Sequence, residues 1–281
     1  MSSPLVVYSK MIKLPHSIFA MPFALAAAVL ASRQVQVTAT QIALVMFCMV
    51  TARSSAMGFN RIIDRDIDAK NPRTASREIP SGAISLRAAW TLTLVSAALF
   101  VVSSGALGTL TLALSPVALI VVWGYSLTKR WTALCHLVLG LALALAPTAV
   151  WIGLVGRFGE VPAVLSLAVA TWVAGFDILY ACQDAAFDRE VGLYSMPSRL
   201  GIPWAMRVSA LLHVITVGAL LALPSVVALG LVYFVGVACI AAVLAYEHWI
   251  VRPDDLSRID KAFFDLNGYV SLLFLGFVLF A

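Results

Sequence analysis

Three oxygen-bearing side chains follow a long apolar run at successive four-residue steps, and their types suit the binding of a cation. They are Asn60, Asp64 and Asp68, within the sequence NRIIDRDIDAKNPRTASREIPSG, called here the first acidic segment (residues 60–82). On a helix this spacing places all three side chains on one face. Carboxylate and amide oxygens are the ligands that hard cations such as Mg²⁺ prefer. The first acidic segment therefore predicts a cation site at the end of a helix.

A second acidic segment (residues 180–201) repeats this arrangement later in the chain. In its sequence, YACQDAAFDREVGLYSMPSRLG, the residues Tyr180, Asp184 and Asp188 take the same four-residue steps. Each segment also contains a proline followed by a serine, at 80–81 and at 197–198. This correspondence indicates an internal repeat, and repeats that meet at a shared site are a common way to build a membrane cavity.

Basic residues accompany both pairs of acids and indicate which ligand the cations would share. Mg²⁺ commonly binds through one or two carboxylates together with substrate phosphates. Two acid pairs that face each other would hold Mg²⁺ ions and leave coordination positions open for a diphosphate. Four basic side chains could neutralise the charge that the metals leave: Arg77, Lys129, Arg130 and Arg199. The alternative is that the acids are solvated helix ends in salt bridges with neighbouring arginines, but two matching pairs favour the cation site.

The composition places both segments in a membrane protein. The chain has 281 residues, of which 62% are apolar and 12% charged, and its mean hydropathy is +0.97, whereas a soluble domain has roughly 25% charged residues. Since a spanning helix needs about 20 mostly apolar residues, the hydropathy pattern predicts nine transmembrane helices. We expect an all-α polytopic membrane protein made of two four-helix pseudo-repeats plus one helix around a central cavity, forming one domain over residues 1–281.

The distribution of basic residues predicts the orientation of the protein in the membrane. Of the 19 lysines and arginines, all except Arg33, Arg53 and Arg157 fall on the face of the membrane where the N-terminus is predicted to lie. The positive-inside rule therefore places the N-terminus and both acidic segments in the cytoplasm. We expect a multi-pass protein of the inner (cytoplasmic) membrane that contacts the lipid bilayer and binds no nucleic acid.

The motifs of both acidic segments resemble those of the UbiA-type intramembrane aromatic prenyltransferases. The family's first motif, NDxxDxxxD, matches Asn60, Asp64 and Asp68, and its second, usually DxxxD, matches Asp184 and Asp188. The resemblance covers all nine predicted helices. Together with YSLTKRW, the acidic segments are most similar to the bacterial 4-hydroxybenzoate polyprenyltransferase branch, which includes enzymes placed in the futalosine route to menaquinone.

The resemblance implies transfer of a polyprenyl group from polyprenyl diphosphate to an aromatic acid, 4-hydroxybenzoate or a dihydroxynaphthoate-like acceptor, in quinone biosynthesis. It implies Mg²⁺ as cofactor, held by Asn60 and by four catalytic aspartates: Asp64, Asp68, Asp184 and Asp188. The metal and the basic residues would stabilise the leaving diphosphate while the allylic C–O bond ionises, and the aromatic ring would attack the carbocation away from water. Arg61 stands where the family usually has an aspartate, so that ligand is not carried over.

Further side chains are candidates for substrate binding: Arg77, Tyr125, Lys129, Tyr180 and Arg199. Arg53 lies seven residues before Asn60 and either binds the acceptor's carboxylate or pairs with Asp177, which precedes Asp184 by the same interval. The sequence leaves both roles open.

Two residues at the start of the first helix, Lys13 and His16, could touch the acceptor, although snorkelling to the membrane interface explains Lys13 equally well. His136, which opens the fifth predicted helix, is expected to be a hydrogen-bonded histidine that packs helices together. The competing class of protein is an ion-coupled membrane transporter that uses the paired carboxylates. Transporter acids should lie near the middle of the membrane, whereas these acids follow helix ends beside basic residues, which favours the enzyme.

Overall fold

The computed structural model describes Tyr8, Met11, Ile12 and residues 20–281. Within these residues the protein is helical and has no β-strand. Eight of the helices described are long and apolar enough to cross a membrane, and the helix at Ala20–Ala31 is apolar but shorter. The predicted all-α polytopic membrane fold is therefore confirmed, with eight full-length spans in the described part of the chain.

The helices are numbered in chain order and have these bounds: α1 (Ala20–Ala31), α2 (Ala39–Ile63), α3 (Arg65–Lys70), α4 (Leu86–Leu107), α5 (Thr109–Thr128), α6 (Cys135–Val155), α7 (Glu160–Ala181), α8 (Ala185–Glu190), α9 (Met196–Leu200), α10 (Ile202–Ala222), α11 (Leu231–Ile250), α12 (Ile259–Lys261) and α13 (Asn267–Leu279). Short 3₁₀ turns cover Cys182–Asp184 and Leu223–Ser225. A π-helical turn at Ala262–Leu266 joins α12 to α13.

The long helices expose large apolar side chains. Val102, Ile120 and Leu231 are 72%, 69% and 80% exposed. Surfaces of this kind are rare in soluble monomers, and a lipid environment accommodates them. A helix satisfies its own backbone hydrogen bonds, which is why such apolar stretches adopt this conformation within a bilayer.

The chain forms two compact units, and the first comprises Met1–Ser17 and Ala39–Leu127. In this unit α2 packs along α4. Gly58 makes the close approach possible, because a Cβ there would collide with the hydroxyl of Thr93. Small residues at such contacts are typical of helix packing in membranes. The indole nitrogen of Trp123 donates to Ser55 Oγ at 3.0 Å and ties α5 to α2.

The second unit comprises Ile18–Thr38 and Thr128–Ala281. Its helix pairs α6–α7 and α7–α10 are in close contact, and Gly140 lies where a Cβ would collide with the backbone carbonyl of Ala170. Helix α1 also packs in this unit, since the ring of Phe23 stacks on that of Phe274 at 4.5 Å. The two compact units therefore differ from the two four-helix blocks of the sequence repeat, because α1 packs against α6 and α13 of the second unit.

Candidate active site

The first acidic segment begins where α2 ends. The helix stops at Ile63, Asp64 has φ −89° and ψ 1°, and α3 starts at Arg65. This sparsely populated backbone region is common among active-site residues. The amide of Asp64 donates to Asn60 O at 3.0 Å and that of Asp68 to Asp64 O at 2.7 Å. The three predicted ligands therefore keep their four-residue steps, although the helix that carries them is interrupted at Asp64.

The second acidic segment has the same local design. Helix α7 ends at Ala181, a 3₁₀ turn follows, and Asp184 has φ −97° and ψ 1° before α8 begins at Ala185. Asp188 lies in α8, which has six residues, as does α3. Each first acid therefore marks a helix junction with nearly the same backbone conformation, and each second acid lies in the short helix that follows. This correspondence supports the internal repeat.

A basic residue of its own loop holds the second acid of the first segment. Asp68 is 5% exposed, and Arg77 Nη1 donates to its two carboxylate oxygens at 2.7 and 2.8 Å. The hydroxyl of Thr74 donates to the backbone oxygen of Asp68 at 3.1 Å and fixes the loop between them. Charge-assisted hydrogen bonds of this length are among the stronger polar contacts in proteins.

The amide of Asn60 is oriented by hydrogen bonds. Its Nδ2 donates to Asp64 Oδ2 at 2.9 Å and to Ser126 Oγ at 3.4 Å. With the nitrogen used in this way, the amide oxygen is the atom of Asn60 that could bind a cation. The pair Asn60 and Asp64 thus offers oxygen atoms from two consecutive helical turns.

The second acid of the second segment is buried more deeply. Asp188 is 1% exposed, and it forms an ion pair with Lys129 Nζ at 2.8 Å and accepts a hydrogen bond from Ser195 Oγ at 2.7 Å. Burial lowers the pKa of Lys129, but the charge of Asp188, the hydrogen bond to it and the charge of Asp184 outweigh burial. The pKa of Lys129 therefore lies above its ordinary value.

Two other candidate substrate-binding residues of the second unit, Arg199 and Tyr180, contact aromatic rings. The guanidinium of Arg199 lies 3.8 Å from the ring centre of Tyr194, a cation–π contact, and the side chain of Arg199 is exposed. Tyr180 stacks on Phe263 at 4.1 Å between ring centres. Arg199 is thus presented at the surface of the segment, whereas Tyr180 packs against the π-helical turn.

The remaining candidates are placed as follows. Arg53 and Tyr125 are half-buried in α2 and α5 of the first unit. Lys13 and His16 lie outside the described residues. Asp177, the alternative partner of Arg53, lies in the second unit and accepts a hydrogen bond from His136 Nδ1 at 2.7 Å. Whether Arg53 binds the acceptor or pairs with Asp177 stays a prediction.

Sequence reasoning missed two residues beside the acids. Arg61 is 3% exposed, its charge interacts with those of Asp68, Glu78 and Arg77, and its Nε has no hydrogen-bond partner among the described residues. No sequence signal predicted that a cation at this position would be buried. The second is Ser195, the N-cap of α9. A serine two residues before a proline, here Pro197, is a sequence signal for a helix N-terminus.

The donor atoms of both segments fit Mg²⁺. Among the residues that the structure describes, no group of three or more His, Cys, Asp and Glu side chains is placed to hold a metal. Each unit has two carboxylates in its own acidic segment, and the first unit also has the amide of Asn60. Mg²⁺ is usually bound by one or two carboxylates, with waters and substrate phosphates completing its octahedron. These residues therefore suit Mg²⁺ that binds together with a phosphorylated substrate.

An all-helical membrane fold with two acidic segments beside basic residues suits an intramembrane enzyme that acts on a phosphorylated apolar substrate. Residues 20–275 match the UbiA prenyltransferase family, and the chain belongs to that family. It is 31% identical over 223 residues to a 4-hydroxybenzoate octaprenyltransferase of Vibrio cholerae, an alignment that covers 78% of this chain and 77% of that protein.

Solved structures agree with this assignment. The apo structure of a UbiA homologue from Aeropyrum pernix K1 is 33% identical, has a TM-score of 0.85, and covers 94% of this chain and 97% of its own. A UbiA homologue from Archaeoglobus fulgidus, solved with GPP and Mg²⁺, is 21% identical with a TM-score of 0.78 over 97% of this chain and 98% of its own, and has the same fold. The chain is a membrane prenyltransferase, which decides against the transporter alternative.

Proposed function

We propose that the protein transfers a polyprenyl group from polyprenyl diphosphate to an aromatic acid, 4-hydroxybenzoate or a dihydroxynaphthoate-like compound, in a Mg²⁺-dependent step of quinone biosynthesis. The observation that carries the proposal is the pairing of a buried acid with a basic residue in each unit, Asp68 with Arg77 and Asp188 with Lys129. Carboxylates suit a divalent cation, and the neighbouring cations suit phosphate oxygens. Each unit therefore has carboxylates suited to a metal ion and a basic side chain suited to a diphosphate.

The residues proposed to hold Mg²⁺ are the oxygen donors of the two segments: Asn60, Asp64, Asp68, Asp184 and Asp188. When bound, Mg²⁺ supplies Lewis-acid stabilisation of the diphosphate leaving group. Arg77 and Lys129 lie within hydrogen-bond distance of these carboxylates and can donate to phosphate oxygens. Arg199 is exposed and stacks on Tyr194, so it can contact the diphosphate without losing a buried partner.

The acceptor is proposed to be an aromatic acid because one cation of the first unit, Arg53, lies on α2 two turns before Asn60. A guanidinium binds a carboxylate through two parallel hydrogen bonds. Lys13 is the further proposed contact of the acceptor, whereas Tyr125 is proposed to contact the diphosphate. The relative from Vibrio cholerae, named for 4-hydroxybenzoate, supports this choice over a neutral acceptor. The polyprenyl tail is apolar and can extend along lipid-facing helices.

The activity is tested in membranes that contain the protein. Labelled polyprenyl diphosphates of graded chain length are supplied with 4-hydroxybenzoate, a dihydroxynaphthoate or phenol, in the presence of Mg²⁺ or EDTA. We expect a prenylated acid with Mg²⁺ only, and little product from phenol, which lacks the carboxylate. Equal turnover with EDTA would reject the role of the metal, and equal turnover of phenol would reject the acid acceptor.

The proposed orientation places the N-terminus and both acidic segments in the cytoplasm, at the inner membrane. Single cysteines at Lys70 and at Glu190, both exposed, should react with an impermeant maleimide only in inside-out vesicles. Cysteines at Arg33 and Arg157 should react in right-side-out vesicles and serve as the matched controls. Labelling of the Lys70 or Glu190 position from the outer face would reverse the orientation.

A further inference from the structure

His136 is bonded through both ring nitrogens although it lies in a membrane helix. Its side chain is 2% exposed at the start of α6. Nδ1 lies 2.7 Å from Asp177 Oδ2, and the backbone N–H of Met196 donates to Nε2 at 3.3 Å. Because an N–H points at Nε2, the lone pair is on that nitrogen and the proton is on Nδ1, donated to Asp177. The imidazole therefore links α7 to the first residue of α9.

Ser195, the residue before Met196, donates a hydrogen bond to Asp188. Ser195 and Ser198 form a reciprocal cap in which the amide of Ser198 donates to Ser195 Oγ at 3.3 Å and the amide of Ser195 donates to Ser198 Oγ at 2.9 Å. The hydroxyl proton of Ser195 goes to Asp188 Oδ2 at 2.7 Å. The cap fixes the rotamer of Ser195. Because Ser195 is bonded to Met196, the position of the Met196 backbone then determines where the Ser195 hydroxyl meets the Asp188 carboxylate.

The opposite side of Asp188 depends on the same segment. The amide of Tyr194 donates to the backbone oxygen of Lys129 at 2.8 Å, and Lys129 Nζ lies 2.8 Å from Asp188 Oδ1. The thiol of Cys135, next to His136, donates to Tyr194 O at 3.4 Å. Residues 194–198 thus position both groups that contact the Asp188 carboxylate, the Ser195 hydroxyl and the Lys129 ammonium.

We propose that the Asp177–His136 pair is a positioning device for the diphosphate site. It holds the backbone of Met196, so that Ser195 and Lys129 present Asp188 in one orientation to the metal and its diphosphate. The inference rests on the proposed function of Asp188 as a metal ligand and goes beyond it, because it gives His136 a role in substrate affinity. Simple helix packing explains the burial of His136 but requires no bond to Met196.

The test compares four variants of the full-length protein in detergent: His136→Leu, His136→Gln, Met196→Pro and Met196→Ala. Leucine removes both ring hydrogen bonds, whereas glutamine can still donate and accept. Proline at 196 removes the backbone donor together with the buried Met196 side chain. The backbone suits it because Ser195 has φ −125° and ψ 158°, as residues before proline prefer. Alanine at 196 removes the side chain and keeps the donor.

We expect His136→Leu and Met196→Pro to raise the KM for polyprenyl diphosphate by about 5- to 10-fold, which corresponds to the hydrogen bond that both variants remove, between the backbone N–H of residue 196 and His136. The KM for the aromatic acid should stay within about twofold, as expected for an effect confined to the diphosphate side. His136→Gln and Met196→Ala should keep the diphosphate KM near the wild-type value. An unchanged diphosphate KM in Met196→Pro would overturn the proposal, even if His136→Leu failed to fold.

A double-mutant cycle tests whether His136 acts through Ser195. Ser195→Ala should raise the diphosphate KM by a similar factor, and adding His136→Leu should raise it little further, because both changes break the same chain of contacts. Multiplied effects would show that His136 acts by another route and would overturn the proposal. A wild-type protein without prenyl transfer would instead refute the proposed function, so the two failures are distinguishable.

Discussion

The two acidic segments share a backbone pattern but hold their second acids in different ways. Asp68 is held by Arg77, nine residues further along the same loop. Asp188 is held by Lys129, which precedes α6, and by Ser195 on the far side of α8. The first arrangement is local in sequence, whereas the second combines a hydroxyl seven residues away with a lysine from a distant part of the chain. We infer that substitutions remote from the second segment disturb its acid more readily than equivalent changes disturb the first.

The local arrangement has support within its own loop. The hydroxyl of Thr74 donates to Asp68 O, and the amide of Arg73 donates to Asn71 Oδ1 at 3.0 Å, which forms a turn typical of asparagine. In the second segment, the amide of Leu193 donates to the backbone oxygen of Asp188 at 2.8 Å, and further support comes from the α5–α6 connection, through the bond from Tyr194 to Lys129. The repeat has therefore kept its acids and backbone while the residues that hold them have diverged.

The largest expected effect tests whether the two segments contribute equally to metal binding. Asp64→Ala and Asp184→Ala should each reduce turnover by more than about 100-fold, because even outer contacts of metal ligands are worth about 10–100-fold. Turnover is measured with purified variants at saturating Mg²⁺, and Asp254→Ala, an exposed change in the second unit, is the control. Near-normal activity in one of the two would assign the metal to the other segment alone.

The next prediction concerns the acceptor. Arg53→Leu should raise the KM for the aromatic acid by roughly 10- to 100-fold, the range for a lost charge-assisted hydrogen bond, and leave the diphosphate KM nearly unchanged. If Arg53 serves only as a partner of Asp177, adding Asp177→Asn should restore activity. Asparagine is chosen because its amide oxygen can still accept the proton of His136 Nδ1. A double variant with a normal acceptor KM would contradict the acceptor role.

The parts of the site that the sequence predicts are those that depend on local spacing. The four-residue steps of the acids and the basic residues Arg77 and Lys129 are readable because helical geometry and charge type suffice. The contact of His136 with Asp177 depends on how α6 and α7 pack, and that of Ser195 with Asp188 depends on how the loop after α8 folds back. No short pattern records either contact. The expectation that His136 is hydrogen-bonded agrees with the structure, but its partners were beyond reach.

The same limit applies to the fold. The apolar segments predict the spans because a bilayer imposes a length and a composition. The break at Asp64 has no glycine or proline beside it, so the helix pattern alone gives no reason to end α2 there. The packing of α1 in the second unit depends on its contacts with α6 and α13, which include the stacked rings of Phe23 and Phe274, and these residues are far apart in sequence.

A smaller effect compares how much the Lys129–Asp188 and Arg77–Asp68 pairs contribute to the stability of the protein. Lys129→Met leaves Asp188 with less access to water than Arg77→Met leaves Asp68, since their side chains are 1% and 7% exposed. Breaking a buried pair costs about 3–5 kcal/mol, and we expect Lys129→Met to lie near the lower end because Ser195 remains. Thermal unfolding in detergent should show a larger loss for Lys129→Met, with Lys70→Met and Lys261→Met, both exposed, as controls. A larger loss for Arg77→Met would reverse the order.

The smallest effect is a dependence on pH that belongs to the second segment. The pKa of Lys129 is raised in the folded protein, where the charges of Asp188 and Asp184 outweigh burial. A raised lysine pKa contributes stability that is complete below the unfolded value, about 10.4, and is lost as the pH rises through the folded value. The difference in melting temperature between wild type and Lys129→Met should therefore stay constant from about pH 7 to 10 and shrink above that range. Arginine stays charged throughout this range, so the difference in melting temperature between Lys129→Arg and Lys129→Met should show no such decline. A difference that already shrinks below about pH 9 would mean that burial outweighs the aspartates and that Lys129 holds Asp188 only weakly.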